Sequence, residues 1–577
     1  MTPALRLPRG SRAASGLPFP GRGTANPLLL ELDLGRGLLE APPASPVEAL
    51  RARHRPVLRS VVDALRKAAD DDRVAGLVAH VGQRQPSLAQ SNELRAAVHA
   101  FRAAGKPTVC WSESYGEMGP GNVGYHLASA FEEVWIQESG DLGLIGLTAE
   151  AVFLRETLDK LGVQTQIGQR SEYKTAANTF LETSMTQAHR EMALRLVESA
   201  MTSIVADVAR DRDLPEIAVR EAVDAAPLSP QQALERGLVD RIGYRDEVYA
   251  DLRRRLGEVD LRFVDRYGKG IGGLGLGGLG QISPMTQRHR PVVALVQASG
   301  PIHLGRSGGS PLSGRSVGAD TVGAALRAAG RDPRVKAVVL RVDSPGGSYV
   351  ASDAIRREVH ALRRAGTPVV ASMADVAASG GYYVAMPADV VVANPGTLTG
   401  SIGVLAGKQV IREALSHAGV RRETVSAGRY ADMFSTQRPF DAEEWDRLEG
   451  WLDRVYDDFT SKAAEDRRMP VADLRELAKG RVWTGADAHD HGLVDELGGL
   501  SRAIDLACER ARVRRADVEV RTLPKANPVE RLLPADNSES PAAARSGEGM
   551  PLLELALAAA GLPSYGVLTM PFGLRLH

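Results

Sequence analysis

Cysteine is scarce in this chain: Cys110 and Cys508 are the only two among 577 residues. Two thiols build neither a disulfide framework nor a four-thiolate zinc site, so a reducing compartment is allowed. Net charge is missing as well, since 71 basic and 71 acidic residues cancel. That balance argues against a nucleic-acid binder working through bulk charge. No run of eighteen consecutive apolar residues occurs, and no transmembrane helix is expected. Residues 1–26 carry Arg6, Arg9, Arg12 and Arg22 without one acidic residue. Prolines and glycines interrupt this segment, which lacks the apolar core of a secretory signal and reads as a disordered tail. The expected location is the cytoplasm, with peripheral contact at the inner face of the cell membrane left open. Lysine is rare, with ten in all, so any lysine that the chemistry needs comes from a short list. The remainder, 44% hydrophobic and 25% charged, is ordinary soluble globular composition.

The chain contains itself twice. Asp72–Val78 echoes Pro333–Val339, and Ala104–Val109 matches Ala365–Val370, both at a spacing of 261. After a four-residue length change the spacing is 257: Gly124-Tyr125 meets Gly381-Tyr382, and Ile145-Gly146 meets Ile402-Gly403. Gly237–Asp240 returns as Gly492–Asp495. Anchors in one order with small drift mark a tandem duplication. In each copy short apolar strands alternate with amphipathic helices, which predicts mostly parallel sheets with helical cover. Strands are expected at Ala337–Val342, Pro368–Ser372 and Val390–Ala393, and helices at Val57–Ala69, Thr321–Ala329 and Ala351–Ala365. The expected division is a tail (1–26), a first α/β copy (27–262), a Gly-rich linker (263–290), a second copy (291–521) and a C-terminal tail (522–577). The apolar piece Leu552–Leu562 in that tail is too short to span a bilayer.

Two motif matches fail on context. Gly275–Gly280 fits G-x-G-x-x-G, but Gln281-Ile-Ser-Pro284 follows where a helix must open onto the pyrophosphate. Ser171–Lys174 fits S-x-x-K, yet neither S-D-N nor K-T-G accompanies it. Ser379 stands in Ala377-Ala-Ser-Gly-Gly-Tyr-Tyr383, between an expected strand and helix. A serine in such a turn is either an exposed nucleophile beside free amides or a plain helix N-cap. Asp343-Ser-Pro-Gly-Gly-Ser348 offers amides to an oxyanion, or else only a tight turn.

Comparing the copies sharpens the choice. Asn122 occupies the position of Ser379, and His80-Val-Gly-Gln-Arg84 replaces the Pro-Gly-Gly turn. Conversely, Lys174 in the first copy faces Ala431 in the second. Each copy keeps what the other has lost, as in an enzyme dividing one site between its halves; a drifted copy without a role would look the same.

Together, Asp343–Ser348, Ala378–Tyr383, Gly396-Thr-Leu-Thr-Gly-Ser-Ile-Gly403 and Tyr173-Lys-Thr-Ala-Ala-Asn-Thr-Phe180 resemble the bacterial signal peptide peptidase A family, or protease IV, in its long, duplicated form (peptidase family S49). The resemblance spans roughly residues 27–520 and leaves both tails unexplained. It implies a Clp/crotonase-like fold in each copy, ATP-independent serine peptidase activity and a bowl-shaped homotetramer. It also implies apolar substrates: signal-peptide remnants and other unfolded peptides. Carried over, it makes Ser379 the nucleophile, Lys174 the general base, and Ser401 the hydroxyl that orients the lysine amine. Oxyanion donors would be the amides of Gly380 and one of Gly346 or Gly347. A lysine accepts a proton only when neutral, and burial lowers its pKa from about 10.4. No histidine is needed, and His360 and His417 are expected as surface or packing residues. No metal or organic cofactor is called for. Two competing readings keep the fold: a crotonase-like acyl-CoA thioester enzyme that needs no Lys174, and a non-catalytic peptide-binding assembly protein.

Overall fold

The computed structural model describes residues 26–43, 46–267, 290–310, 314–524 and 568–569. Most of both expected tails, the Gly275–Gly280 motif and Leu552–Leu562 lie outside the described residues.

The first copy contributes strands β1 (Leu28–Asp33), β2 (Val74–His80), β3 (Thr108–Ser112), β4 (Glu133–Ile136), β5 (Gln164–Gln169), β6 (Arg241–Ile242) and β7 (Asp260–Phe263). The second contributes β8 (Val292–Ser299), β9 (Ile302–His303), β10 (Gly308–Ser310), β11 (Gly314–Gly318), β12 (Val335–Ser344), β13 (Gly346–Gly347), β14 (Val369–Ala378), β15 (Val390–Ala393), β16 (Leu398–Gly400), β17 (Leu405–Val410), β18 (Val482–Thr484), β19 (Glu496–Leu497) and β20 (Glu519–Leu523). A last pair of residues, Leu568–Thr569, forms β21.

Six strands of the first copy pair in the order β6-β4-β3-β2-β1-β7, every neighbour parallel. Their counterparts pair in the same order, β19-β15-β14-β12-β8-β20, again all parallel. The α/β class and the duplication are therefore both present. Alternation along the strands buries both faces of each sheet. Val292, Ala294 and Val296 join the large core beneath helix Tyr349–Arg364, while Val293 and Leu295 pack with Ile504 and Ala507 of helix Leu500–Arg510. The first copy does the same with Leu30 and Leu32 on one face and Leu29 on the other, beside Val248 and Leu252 of helix Arg245–Leu256.

Helices fall where the pattern predicts, at Leu58–Ala69, Ala319–Arg331 and Tyr349–Arg364. Two strands run longer than expected: β12 by two residues at each end, and β14 at its C-terminal end. β14 does not stop at Ser372 but continues to Ala378, leaving β15 and pairing its last residues with β16. Asp375 breaks the apolar run and suggests a strand end; in the fold it accepts a hydrogen bond from Ser87 Oγ of the first copy. This continuation delivers the chain to residue 379.

The copies interlock. β5 of the first pairs antiparallel with β17 of the second, from Gln164↔Val410 to Gln169↔Leu405. Arg341, buried on β12, lies 2.7 Å from Glu40 and 2.6 Å from Glu93, both from the first copy. The long helix Gln187–Arg212 packs Met192 and Leu196 against Ala378, Leu398 and Val482. On the same helix Arg195 holds Asp487 through two bonds of 2.7 and 3.1 Å.

Candidate active site

Ser379 follows β14 directly and precedes helix Gly380–Ala385, with φ +56° and ψ −115°. That backbone is costly for a residue bearing a Cβ, and such strain persists only where the surroundings impose it. Here the Ser379 N–H donates to the Gly400 carbonyl at 2.7 Å, and its carbonyl accepts from Tyr383 N–H at 2.9 Å. Its side chain makes no capping bond to the helix, so the plain N-cap role does not hold.

The hydroxyl instead meets Lys174. Lys174 Nζ lies 2.8 Å from Ser379 Oγ, 3.0 Å from Ser401 Oγ and 3.0 Å from the Ser401 carbonyl oxygen. All three residues are fully buried. Ser401 sits just past β16 at φ +51°, its N–H bonded to the Arg481 carbonyl at 2.7 Å. Among the described residues no carboxylate pairs with Lys174, and burial alone pushes its pKa well below the usual lysine range.

Lys174 is held from both copies. Its neighbour Tyr173 donates its N–H to the Lys479 carbonyl at 3.1 Å. Gly480, at φ +78°, lies so close that a Cβ there would come within 2.6 Å of the Lys174 Cβ and backbone nitrogen. Only glycine fits both that conformation and that approach.

The glycine pair lies alongside. A Cβ on Gly380 would stand 3.1 Å from Gly347 N and from Gly346 Cα. The amide of Gly346 is taken up by Ser344 Oγ at 3.2 Å. Gly347 pairs with Ile302 of β9 on one side, the bond running from Ser348 N–H to the Ile302 carbonyl. By strand alternation the Gly347 N–H then points away from β9, toward the edge occupied by β21. The first-turn amides of helix Gly380–Ala385 have no acceptor within the helix.

All six residues singled out from the sequence thus meet in one place: Ser379, Lys174, Ser401, Gly380, Gly346 and Gly347. The first copy's equivalent is closed: Asn122 donates to the Gly146 carbonyl at 2.7 Å and accepts from the Gly146 N–H at 3.1 Å. Ala431, opposite Lys174 in the repeat, is exposed. His360 contacts Asp466 at 3.0 Å and His417 contacts Glu413 at 3.8 Å, both outside this cluster. Sequence reasoning missed Gly480, Met192 and Leu196; a lone Lys-Gly-Arg and two helix-face apolar residues carry no local signal of their neighbours. Among the described residues no His, Cys, Asp and Glu group is arranged to hold a metal ion, and no helix is long and apolar enough to cross a membrane.

The family model for peptidase family S49 matches residues 100–259 and 361–514, one segment in each copy. The chain belongs to peptidase family S49. It is 34% identical over 451 residues to the "Serine protease SPPA, chloroplastic" of Arabidopsis thaliana, covering 78% of this chain and 64% of that protein. It is 31% identical over 473 residues to "Protease 4" of Salmonella typhi, covering 79% and 72% respectively. "Protease 4" of Haemophilus influenzae matches at 31% over 466 residues, with 78% and 72% covered. Among solved structures, a ClpP1 mutant from Listeria monocytogenes is similar over 38% of this chain and 96% of its own, at 13% identity and a TM-score of 0.24. The S49 segments fall on the two sheets, so the family's peptidase domain is present here in duplicate.

Proposed function

We propose that this S49 member is a serine endopeptidase whose nucleophile and base come from different copies. The observation that carries the reading is the 2.8 Å contact between Lys174 Nζ and Ser379 Oγ, fully buried and, among the described residues, without a carboxylate partner. A neutral amine has one lone pair and two N–H groups. Its lone pair accepts from Ser379 Oγ–H, and its N–H groups donate to the Ser401 hydroxyl and carbonyl. Three partners satisfy three valences, so Ser401 fixes the amine's orientation.

In the reaction Ser379 Oγ attacks the peptide carbonyl and its proton passes to Lys174 Nζ. The carbonyl oxygen becomes an oxyanion beside the amides of Gly347 and Gly380, which are set before charge develops. Collapse breaks the C–N bond, and LysH⁺ returns the proton to the departing amine. Water then enters, Lys174 takes its proton, and hydrolysis of the ester frees Ser379. Nothing in this cycle consumes a nucleotide. A buried nucleophile admits an extended main chain more readily than a folded surface, which suits unfolded apolar peptides, cleaved signal peptides among them.

The ribbon between the copies supports the assembly that the family resemblance implies. β17 finds its partner in β5, but the repeat equivalent of β5, residues 421–426, is exposed and in no strand. A second chain supplying that pairing would join head to tail, and the family resemblance implies a closed ring of four such chains.

The test is hydrolysis of a fluorogenic, leucine-rich signal-peptide fragment by the purified chain beside Ser379→Ala and Lys174→Ala. Cleavage by the parent and its loss in both folded variants is expected. Full activity in Lys174→Ala would overturn the split site, and a parent inert across a broad peptide set would overturn the enzyme reading.

A further inference from the structure

We propose that Arg481 is a positioning residue: with Glu191 and Tyr173 it forms a latch between the two copies that seats Lys174 against Ser379 and Ser401. The inference rests on the peptidase reading above. Lys174 has no regular element of its own to hold it, since β5 ends at Gln169 and the next helical turn begins only at Thr175. The second copy meets this stretch with another turn, in which Lys479 and Gly480 both take positive φ just before β18. Three main-chain bonds tie that turn to the base and to its orienting serine. Tyr173 N–H donates to the Lys479 carbonyl at 3.1 Å, Gly480 N–H to the Ile402 carbonyl at 2.8 Å, and Ser401 N–H to the Arg481 carbonyl at 2.7 Å.

Side chains close the seam. Arg481 Nη1 donates to Glu191 Oε1 at 2.9 Å, and Tyr173 Oη donates to Glu191 Oε2 at 3.0 Å. The Arg481 guanidinium also stands 4.8 Å from the centre of the Tyr173 ring and 4.6 Å from that of Trp483. A planar guanidinium can pair with a carboxylate and stack on rings at once, which a flexible ammonium does poorly. Glu191 comes from helix Gln187–Arg212, whose Met192 and Leu196 pack with Leu398 and Val482. One carboxylate on a well-packed helix thus fixes both the residue before the base and the residue whose carbonyl holds Ser401. Such a partly exposed ion pair adds little to stability. Its effect is geometric, because a displacement of about 1 Å at reacting groups costs about a hundredfold in rate.

The duplication separates this role from ordinary packing. Helices Gln187–Arg212 and Ala442–Arg467 lie 255 positions apart, as do Gly237–Asp240 and Gly492–Asp495. At that spacing Arg481 falls opposite Ala226. The first copy, with Asn122 in the place of the serine, therefore lacks the arginine as well. A residue needed only to pack the repeat has no reason to differ in this way.

The test compares the full chain with Arg481→Met, Glu191→Leu and the double variant through two readouts. The first is steady-state hydrolysis of the fluorogenic leucine-rich peptide. In each single variant kcat should fall about ten- to a hundredfold, with KM and the urea midpoint little moved. The double variant should be no slower than the slower single one, because the two residues act as a unit. The second readout follows Lys174 itself, by NMR of protein labelled at lysine Cε. Ten lysines give a short spectrum, and Lys174→Met assigns the signal. The charged groups around the two turns are Glu172, Glu191, Glu476, Lys479 and Arg481, and burial alone lowers the Lys174 pKa. A loosened seam admits water and raises that pKa in both variants. Deleting the Glu191 charge would by itself lower it, so a rise in Glu191→Leu reports access of water rather than lost charge. An Arg481→Met kcat within about twofold of an active parent, or a Lys174 titration that stays in place or falls in Glu191→Leu, overturns the proposal. A parent that cuts no peptide refutes the peptidase reading alone, and the Lys174 titration then decides the latch by itself.

Discussion

Replacing Lys174 by methionine separates chemistry from architecture. Methionine keeps an unbranched side chain of similar length in a fully buried slot, so the packing around Gly480 and Gly403 is retained. What disappears is the acceptor 2.8 Å from Ser379 Oγ. A positioned general base contributes about 10²–10⁴ in rate, and in the proposed cycle Lys174 also returns the proton to the leaving amine. We expect kcat/KM to fall by at least about 10³, or about 4 kcal/mol of barrier. Stability should move far less. Losing three contacts leaves Ser379 and Ser401 groups without a partner, at about 1–3 kcal/mol per orphaned group, while removing a buried amine relieves a penalty of opposite sign. The pH dependence fixes that sign. Burial lowers the native pKa of Lys174, whereas the unfolded lysine titrates near 10.4. Between the two values the unfolded chain binds the extra proton, so this residue makes wild-type stability rise with pH across that window. Methionine removes the slope, and its relative stability should be greatest on the acid side and shrink as pH approaches about 10. Wild-type activity should fall as pH drops through the lowered lysine pKa. Fluorogenic hydrolysis and urea unfolding, each run across pH, measure all three effects. Adding Ser379→Ala to Lys174→Met should cost no further activity, since residues acting as one unit are not additive. More than a tenth of wild-type activity in Lys174→Met, or a stability difference independent of pH, would exclude Lys174 as a buried neutral base.

Two further substitutions probe the supports. Gly480→Ala forces a Cβ to within 2.6 Å of Lys174 at a left-handed φ; kcat should fall at least about 10²-fold, because a displacement of about 1 Å costs that much, with KM and secondary structure little changed. Arg341→Met leaves Glu40 and Glu93 facing each other without their cation; unfolding free energy should drop by about 3–5 kcal/mol, read as a shift in urea midpoint, and a change under about 1 kcal/mol would show that the cluster does not hold the copies together.

The duplication was legible because both spacings, 261 and 257, are kept by residues whose roles are structural in each copy. The proposed division of the site was legible for the opposite reason: Asn122 against Ser379 and Lys174 against Ala431 are mismatches inside otherwise matching segments. That the lysine actually reaches the serine is a long-range fact, set by helix Gln187–Arg212 and by Gly480, which no local pattern announces. The β5–β17 ribbon was equally hidden, since Gln164-Thr-Gln-Ile-Gly-Gln169 is polar and half-buried, with little alternation to read. The extension of β14 was hidden by a charge: Asp375 marks a strand end until its partner, Ser87, arrives from the other copy. Of the C-terminal segment the sequence shows apolar character, but not that its backbone would find Gly346–Gly347.

The interlocked copies have a consequence for what each may become. In a ring of identical single domains, every position is at once giver and receiver, so an improvement on one side of a contact is imposed on the other. Fusing two domains in one chain lifts that identity. Arg341 can meet Glu40 and Glu93, while its repeat equivalent, His80, turns instead to Asp33 at 3.4 Å and Glu113 at 2.8 Å. Under the proposed mechanism one half is free to specialise in supplying an amine and the other in supplying an alcohol, and the tether delivers the two specialists in equal numbers.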